Sequence, residues 1–412
     1  MRSGMRLFAG LGLMALTRLL PAGEARDFEA PPQIKASAVV PAELMQDEAF
    51  AIDENVVASN FYFYFHATST YGVYDVGSLN LLRIRAAEID VLSKNREEPG
   101  KEEFARTVGT ELTSSTKAAA KTVVTPVKTA KAVASGIKRD SQNAIDFLLR
   151  KNHNQPKDAF FIGDEKRRFA CGLGLDVYST NPAVQDFLTA HAKARAAGTT
   201  FVNVGFSIGS LVVPVLTPVH LAMTAGKYRE EAEAKVDTLS ALELYHYNDE
   251  VLSDLNVNDE LRQRFLEYPE FTPRQKTEII AALKTLSSMK DKRSFLTAAL
   301  EFHPVEGVWP AECAAMLAKY DDAENTIVSV SGGGPSLFAQ TSGGKTVVVF
   351  PADILYWNYD AAKSFENFAQ DGSKTDGSRV CLISGDITPR ARIEIERRGF
   401  VVRDRYLSVL AE

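Results

Sequence analysis

The chain has 412 residues, 45% of them hydrophobic and 24% charged, with a formal net charge of −6. That composition excludes a disordered polymer and suffices for two or three domains with real cores. The slightly acidic balance excludes a globally basic surface for nucleic acid. Its three cysteines, Cys171, Cys313 and Cys381, permit at most one disulfide, and none lies within four residues of another, so the ligand spacing of a zinc site is missing. They read as small buried side chains.

Residues 1–25 open with Arg2 and Arg6, continue with an uncharged apolar run (LFAGLGLMAL, residues 7–16) and end on Gly23-Glu24-Ala25. Charge, apolar stretch and small residues in that order are the layout of a secretory signal peptide, too short to span a bilayer as a stable helix. The mature protein is therefore expected to begin near Arg26, exported and away from cytosolic ATP and NAD. Residues 26–100 read as an extended leader followed by a small α+β unit. Within it, NFYFYFHA (60–67) alternates polar and aromatic positions as a half-buried strand does, residues 73–76 return as a second strand, and 79–92 run at helical spacing.

Residues 101–150 differ in composition. Between 104 and 139 seven basic residues face one acid, Glu111. At 100° per residue Val123, Val127, Ala130, Ala134 and Ile137 form a stripe, with the lysines on an adjacent sector and Pro126 as a kink. Such a helix suits an interface with an anionic lipid surface or an envelope protein, with Lys117, Lys121, Val123, Val127, Lys128 and Lys131 as the contact residues.

Residues 151–322 read as mainly helical. Asn181-Pro182 starts one helix, 227–255 forms another, and further helices span 259–267, 273–288, 294–302 and 310–320. Residues 196–226 hold no Asp, Glu, Lys or Arg. Their centre, 201–223, is long enough to cross a membrane, but its Asn, Ser, Pro and His residues favour a segment lodged in protein, with a membrane hairpin as the alternative. Residues 323–412 change to β-branched strands (326–330, 346–350, 379–384, 400–403) and a short helix after Thr388-Pro389, forming an α/β cap. The expected fold class is therefore α+β, helix-dominated, with an amino-terminal hairpin-helix unit.

Three segments, GLGLDVYSTNP (172–182), VVVFPADILYW (347–357) and ISGDITPRARIEIERRGFVV (383–402), together with the hairpin-then-helix opening, resemble an uncharacterised group of exported bacterial proteins. The resemblance implies export and brings no activity with it.

Two motifs bear on chemistry. AQTSGGKT (339–346) fits a relaxed phosphate loop, but that mechanism needs a helix after Lys345-Thr346, and the continuation is strand. No nucleotide or other cofactor is therefore expected. GFSIG (205–209) fits the nucleophile elbow of serine hydrolases, with Ser207 as nucleophile, Asp249 (or Asp254) as acid and His303 as base. Pro214 and Pro218 disturb the helix that should follow. The six histidines show no paired ligand spacing, so no metal is expected. The reading is an exported, envelope-associated binding or structural protein, with a secreted acyl-ester hydrolase using Ser207 as the alternative.

Overall fold

The computed structural model describes residues 28–45, 49–95, 157–196, 227–302, 305, 307–324, 327–371 and 378–407. Residues 1–25, expected from sequence to be a signal peptide, the lysine-rich stretch 104–139 and the uncharged centre 201–223 lie outside the described residues. What is described is helix-dominated α+β, as expected. No helix among the described residues is long and apolar enough to cross a membrane.

The amino-terminal sheet comprises β1 (Gln33–Lys35), β2 (Phe50–Ile52), β3 (Asn55–Ser59), β4 (Tyr62–Ser69) and β5 (Gly72–Gly77), all paired antiparallel, with the short α1 (Ala42–Met45) between β1 and β2. Strand β4 shows the expected alternation, with Phe63 and Phe65 buried and Tyr64 and His66 outside. Tyr62 departs from it and is fully buried, because the start of β4 lies under the helical core while its end faces solvent. The β3–β4 turn is Asn60-Phe61, both at positive φ (48° and 70°). Such a turn matches strand twist but is costly for a phenylalanine. The cost is offset by packing, since Phe61 meets Phe350 edge-on at 4.9 Å. After β5, Ser78 caps α2 (Leu79–Lys94) by accepting from Leu81 N–H.

The helical layer follows as α3 (Lys157–Leu173), α4 (Pro182–Ala196), α5 (Lys227–Thr238), α6 (Ala241–Asp254), α7 (Asp259–Leu266), α8 (Pro273–Thr285), α9 (Arg293–Glu301) and α10 (Val308–Glu324). The helix expected over 227–255 is two helices. Ser240 and Glu243 form a reciprocal capping box that starts α6 afresh. Thr272 and Gln275 do the same for α8, with Pro273 in its first turn. Helix α10 is buried on nearly every side, including Trp309, Met316 and Tyr320, so it shows no amphipathic stripe.

The carboxy-terminal sheet holds β6 (Ile327–Gly333), β7 (Ser336–Thr341), β8 (Thr346–Phe350), β10 (Arg379–Ile383) and β12 (Phe400–Arg403) in the order β12-β10-β8-β7-β6. A small parallel pair, β9 (Ile354–Leu355) with β11 (Asp386–Ile387), sits beyond it, and α11 (Tyr359–Asp371) and α12 (Pro389–Arg397) make the crossovers. Strands β6 to β8 are antiparallel, whereas β8, β10 and β12 are parallel. Both faces of this sheet are covered. Val347, Val349, Val380 and Leu382 join the helical core, while Val348, Phe350, Cys381 and Ile383 join the core shared with the amino-terminal sheet. A strand buried on both faces carries a continuous apolar run, which is why β8 is Thr-Val-Val-Val-Phe. The phosphate-loop pattern is the β7–β8 hairpin, with Gly344 at φ 76° and Lys345 Nζ paired to Glu324 at 3.0 Å. All three cysteines are free thiols, Cys313 and Cys381 buried and Cys171 exposed.

The exits of β8 and β10 nearly touch. A Cβ on Gly385 would lie 2.4 Å from the Asp353 carbonyl oxygen and 2.6 Å from that of Ala352. Gly385→Ala is expected to destabilise the protein by about 3 kcal/mol, the upper range for overpacking, measured by urea unfolding.

Candidate functional site

Two clusters of buried acids stand out inside this frame. The first gathers where β8 and β10 end. Asp353 Oδ2 accepts the backbone N–H of Phe63, on β4, and of Leu79, the first residue of α2, each at 2.9 Å. The carboxyl thus sits at a helix amino terminus, where the helix dipole favours negative charge. Ser384 Oγ lies 3.1 Å from Glu312 Oε2 and 2.9 Å from the Ala352 carbonyl, and it accepts from Ala352 N–H at 2.8 Å. Tyr62 OH reaches Glu312 Oε2 at 3.4 Å. One serine hydroxyl has one proton to give. If Ser384 donates to Ala352, a protonated Glu312 completes the chain by donating to Ser384. Burial, with the nearby Asp353 charge second, pushes the Glu312 carboxyl up to about 8. Burial likewise pushes Asp353 up to about 7, against the two backbone donors that favour its charge. This cluster joins α10, β4, α2 and the strand exits. Its role is structural, because each polar group named is satisfied by a protein partner.

The second cluster surrounds a cavity of about 140 Å3 between α2, the 176–180 turn, α5, α8 and α10. On one side Glu88, buried on α2, takes hydrogen bonds from Ser179 Oγ and from Asn181 Nδ2 at 3.0 Å, and pairs with Arg85 Nη1 at 2.9 Å. Arg85 also donates to Thr180 Oγ1. On the other side Arg274, on the first turn of α8 and 6% exposed, stands 3.0 Å from Asp176, 3.6 Å from Glu278 and 3.8 Å from Asp237. Burial opposes the Arg274 charge, and these three carboxylates outweigh it and hold its pKa above the ordinary value. Arg229 on α5, also buried, pairs with Glu233 at 3.0 Å. Burial raises the Glu278 carboxyl above its usual range, against the two neighbouring arginines. Val308, Ala311 and Ala315 of α10 form an apolar wall.

Among the described residues, three side chains that line this cavity carry a buried polar atom with no hydrogen-bond partner. The atoms are Asn80 Oδ1, the Tyr178 hydroxyl and Arg274 Nη1. A wider open groove of about 560 Å3 runs between α7, α9 and β6, but its charges are solvated, as the half-exposed Arg293–Asp291 pair shows. Surface pairs of that kind contribute little. The arginine cavity is therefore the candidate site.

The residues singled out from sequence fall elsewhere. Ser207 and His303 lie outside the described residues, as do Lys117, Lys121, Val123, Val127, Lys128 and Lys131. Asp249 lies on α6, where Arg262 Nε holds its carboxylate at 2.8 Å. Asp254 ends the same helix. Sequence reasoning missed Glu88, Asp176, Tyr178 and Arg274. Three of these stood in view. Asp176 and Tyr178 belong to the 172–182 segment, and Glu88 interrupts an apolar helix face. No group of three or more metal-ligating side chains occurs among the described residues. Comparison with protein-family models, with curated proteins and with solved structures finds no match.

Because the folded state holds Glu312 and Asp353 protonated to higher pH than an unfolded chain does, folding binds protons between about pH 4 and pH 8. Stability therefore falls as pH rises through that window. Glu312→Gln is expected to flatten the fall and to leave the variant about 2 kcal/mol more stable than the parent at pH 9, read from urea midpoints at pH 5, 7 and 9.

Proposed function

We propose that the chain is an exported binding protein that holds a small polar solute in the arginine cavity. The observation that carries this reading is the set of buried charged side chains, Arg85, Glu88, Arg229 and Arg274, that line this space. A buried donor or acceptor left unpaired costs about 1–3 kcal/mol, so the unpartnered atoms of Asn80, Tyr178 and Arg274 each weaken this region. The flanking groups are fixed in advance. Glu88 is locked by Arg85, Ser179 and Asn181, and Arg274 is held between carboxylates. Pre-set side chains lower the ordering cost of binding.

Export rests on the charged, apolar, small-residue order of residues 1–25, and envelope association on the lysine-flanked stripe of 104–139. Amino-terminal sequencing of material from the extracytoplasmic fraction is expected to start near Arg26, and an intact Met1 on cytosolic protein would remove that part of the reading.

The binding part is tested by filling the cavity. Ala311→Leu, on the apolar wall, is expected to leave thermal stability within about 1 kcal/mol of the parent. Small-molecule mass spectrometry of natively purified, then denatured, protein is expected to find a solute released by the parent and absent from the variant. Equal release from both, or release from neither, contradicts a ligand in this cavity.

A further inference from the structure

We propose that Ser384 is a two-position switch, governed by the proton on Glu312, at the seam where β8 and β10 end. Its hydroxyl bonds the Ala352 carbonyl while Glu312 is neutral, and turns to Glu312 when that carboxyl ionises. The switch is independent of any ligand in the arginine cavity.

One hydroxyl proton faces two acceptors. Ser384 Oγ lies 2.9 Å from the Ala352 carbonyl oxygen and 3.1 Å from Glu312 Oε2, and it already accepts from Ala352 N–H at 2.8 Å. A serine hydroxyl donates once. All three contacts are therefore satisfied only when Glu312 brings a proton of its own and donates to Ser384. Among the described residues no other donor reaches the Ala352 carbonyl. Once the Glu312 proton leaves for solvent, the charged carboxylate is the stronger acceptor. The hydroxyl turns towards it, and the carbonyl is left without a partner. Ala352 is 1% exposed, and a buried acceptor left unpaired is costly. The seam therefore loosens when Glu312 ionises.

The surroundings divide the two acids of the joint. Glu312 is met by Tyr62 from β4, by Asp353 from the end of β8 and by Ser384 from the end of β10, with Cys313 beside it on α10. Asp353 is met by the Phe63 and Leu79 amides, by Arg83 from α2 and by Asp386 from β11, and its charge acts on the Tyr62 and Tyr64 phenols of β4. The two amides and Arg83 favour an Asp353 anion. Burial and that anion together favour a proton on Glu312 and carry its carboxyl up to about 8. Ionising Glu312 then sets a second negative charge near Asp353, the residue that ties β4 and α2 to the seam. Asp353 follows Ala352 directly, so loosening at the carbonyl passes to the amino-terminal layer through the next peptide.

Amide-detected NMR of the full chain, with the Ala352 carbonyl carbon as reporter, tests the switch. That resonance is expected to move with a midpoint near pH 8, while far-UV circular dichroism stays constant between pH 6 and pH 9. In Glu312→Gln the side-chain amide can donate to Ser384 at every pH, so the movement is expected to vanish. Tyr62→Phe removes a donor that favours the ionised carboxyl, and the midpoint is expected to rise. This second variant also serves if Glu312→Gln does not fold. A carbonyl resonance that stays put in the parent, that moves as far in Glu312→Gln, or that keeps its midpoint in Tyr62→Phe overturns the switch. So does a midpoint shared with loss of circular dichroism, which marks unfolding of the whole chain instead of a turn of one hydroxyl.

Discussion

One carboxyl group holds the layers of this protein together. Asp353 leaves the end of β8 and binds two backbone amides that belong to different elements, one on β4 and one at the start of α2. Those amides would otherwise be buried donors without partners, which a fold rarely tolerates. The group that satisfies them also fixes where the amino-terminal sheet sits on the carboxy-terminal sheet and where α2 begins. Glu312, Ser384 and Tyr62 extend the joint to α10. The cavity walls, α2 on one side and α10 on the other, are therefore positioned by the same buried acids.

Around the cavity the fold follows a different rule. Charged groups are buried there in opposed pairs, so each guanidinium carries its own counter-charge. Such pairs are weak contributors to net stability, because desolvation offsets much of their attraction. Their effect is to fix geometry. Arg274 contacts carboxylates contributed by three separate segments. Packing a hydrophobic side chain in its place would lose that orientation even where it preserved stability. A region that accepts this cost around a cavity is where a specific polar partner is expected.

Much of the frame was legible in the chain, and the reasons for the misses are physical. Strands β8 and β12 and helices α2, α4, α7 and α12 stand close to where periodicity and caps place them. The turn before β8 was read from Gly343-Gly344. Strand β7 was missed because Ser336–Thr341 is short and follows a run of glycines. Helix α10 was shortened because burial on all sides erases the stripe that marks a helix. The break before α6 depended on Ser240 and Glu243 acting together, a reciprocal contact that apolar spacing does not report. The site was harder still. Arg274 follows Thr272-Pro273 and looks like an ordinary solvated first turn, and only tertiary packing buries it. Glu312 left a fainter trace as an acid within the apolar run VWPAECAAMLA.

The Asp353–Phe63 bond closes a loop of 290 residues. At ~5–20 residues per second, a ribosome needs roughly 15–60 s to make that span. Throughout that interval the early β-strands are exposed, waiting for a lid that has not yet been translated. Late closure slows folding, as long-range pairing generally does. It also leaves the Phe63 amide without its carboxylate until residue 353 has been made.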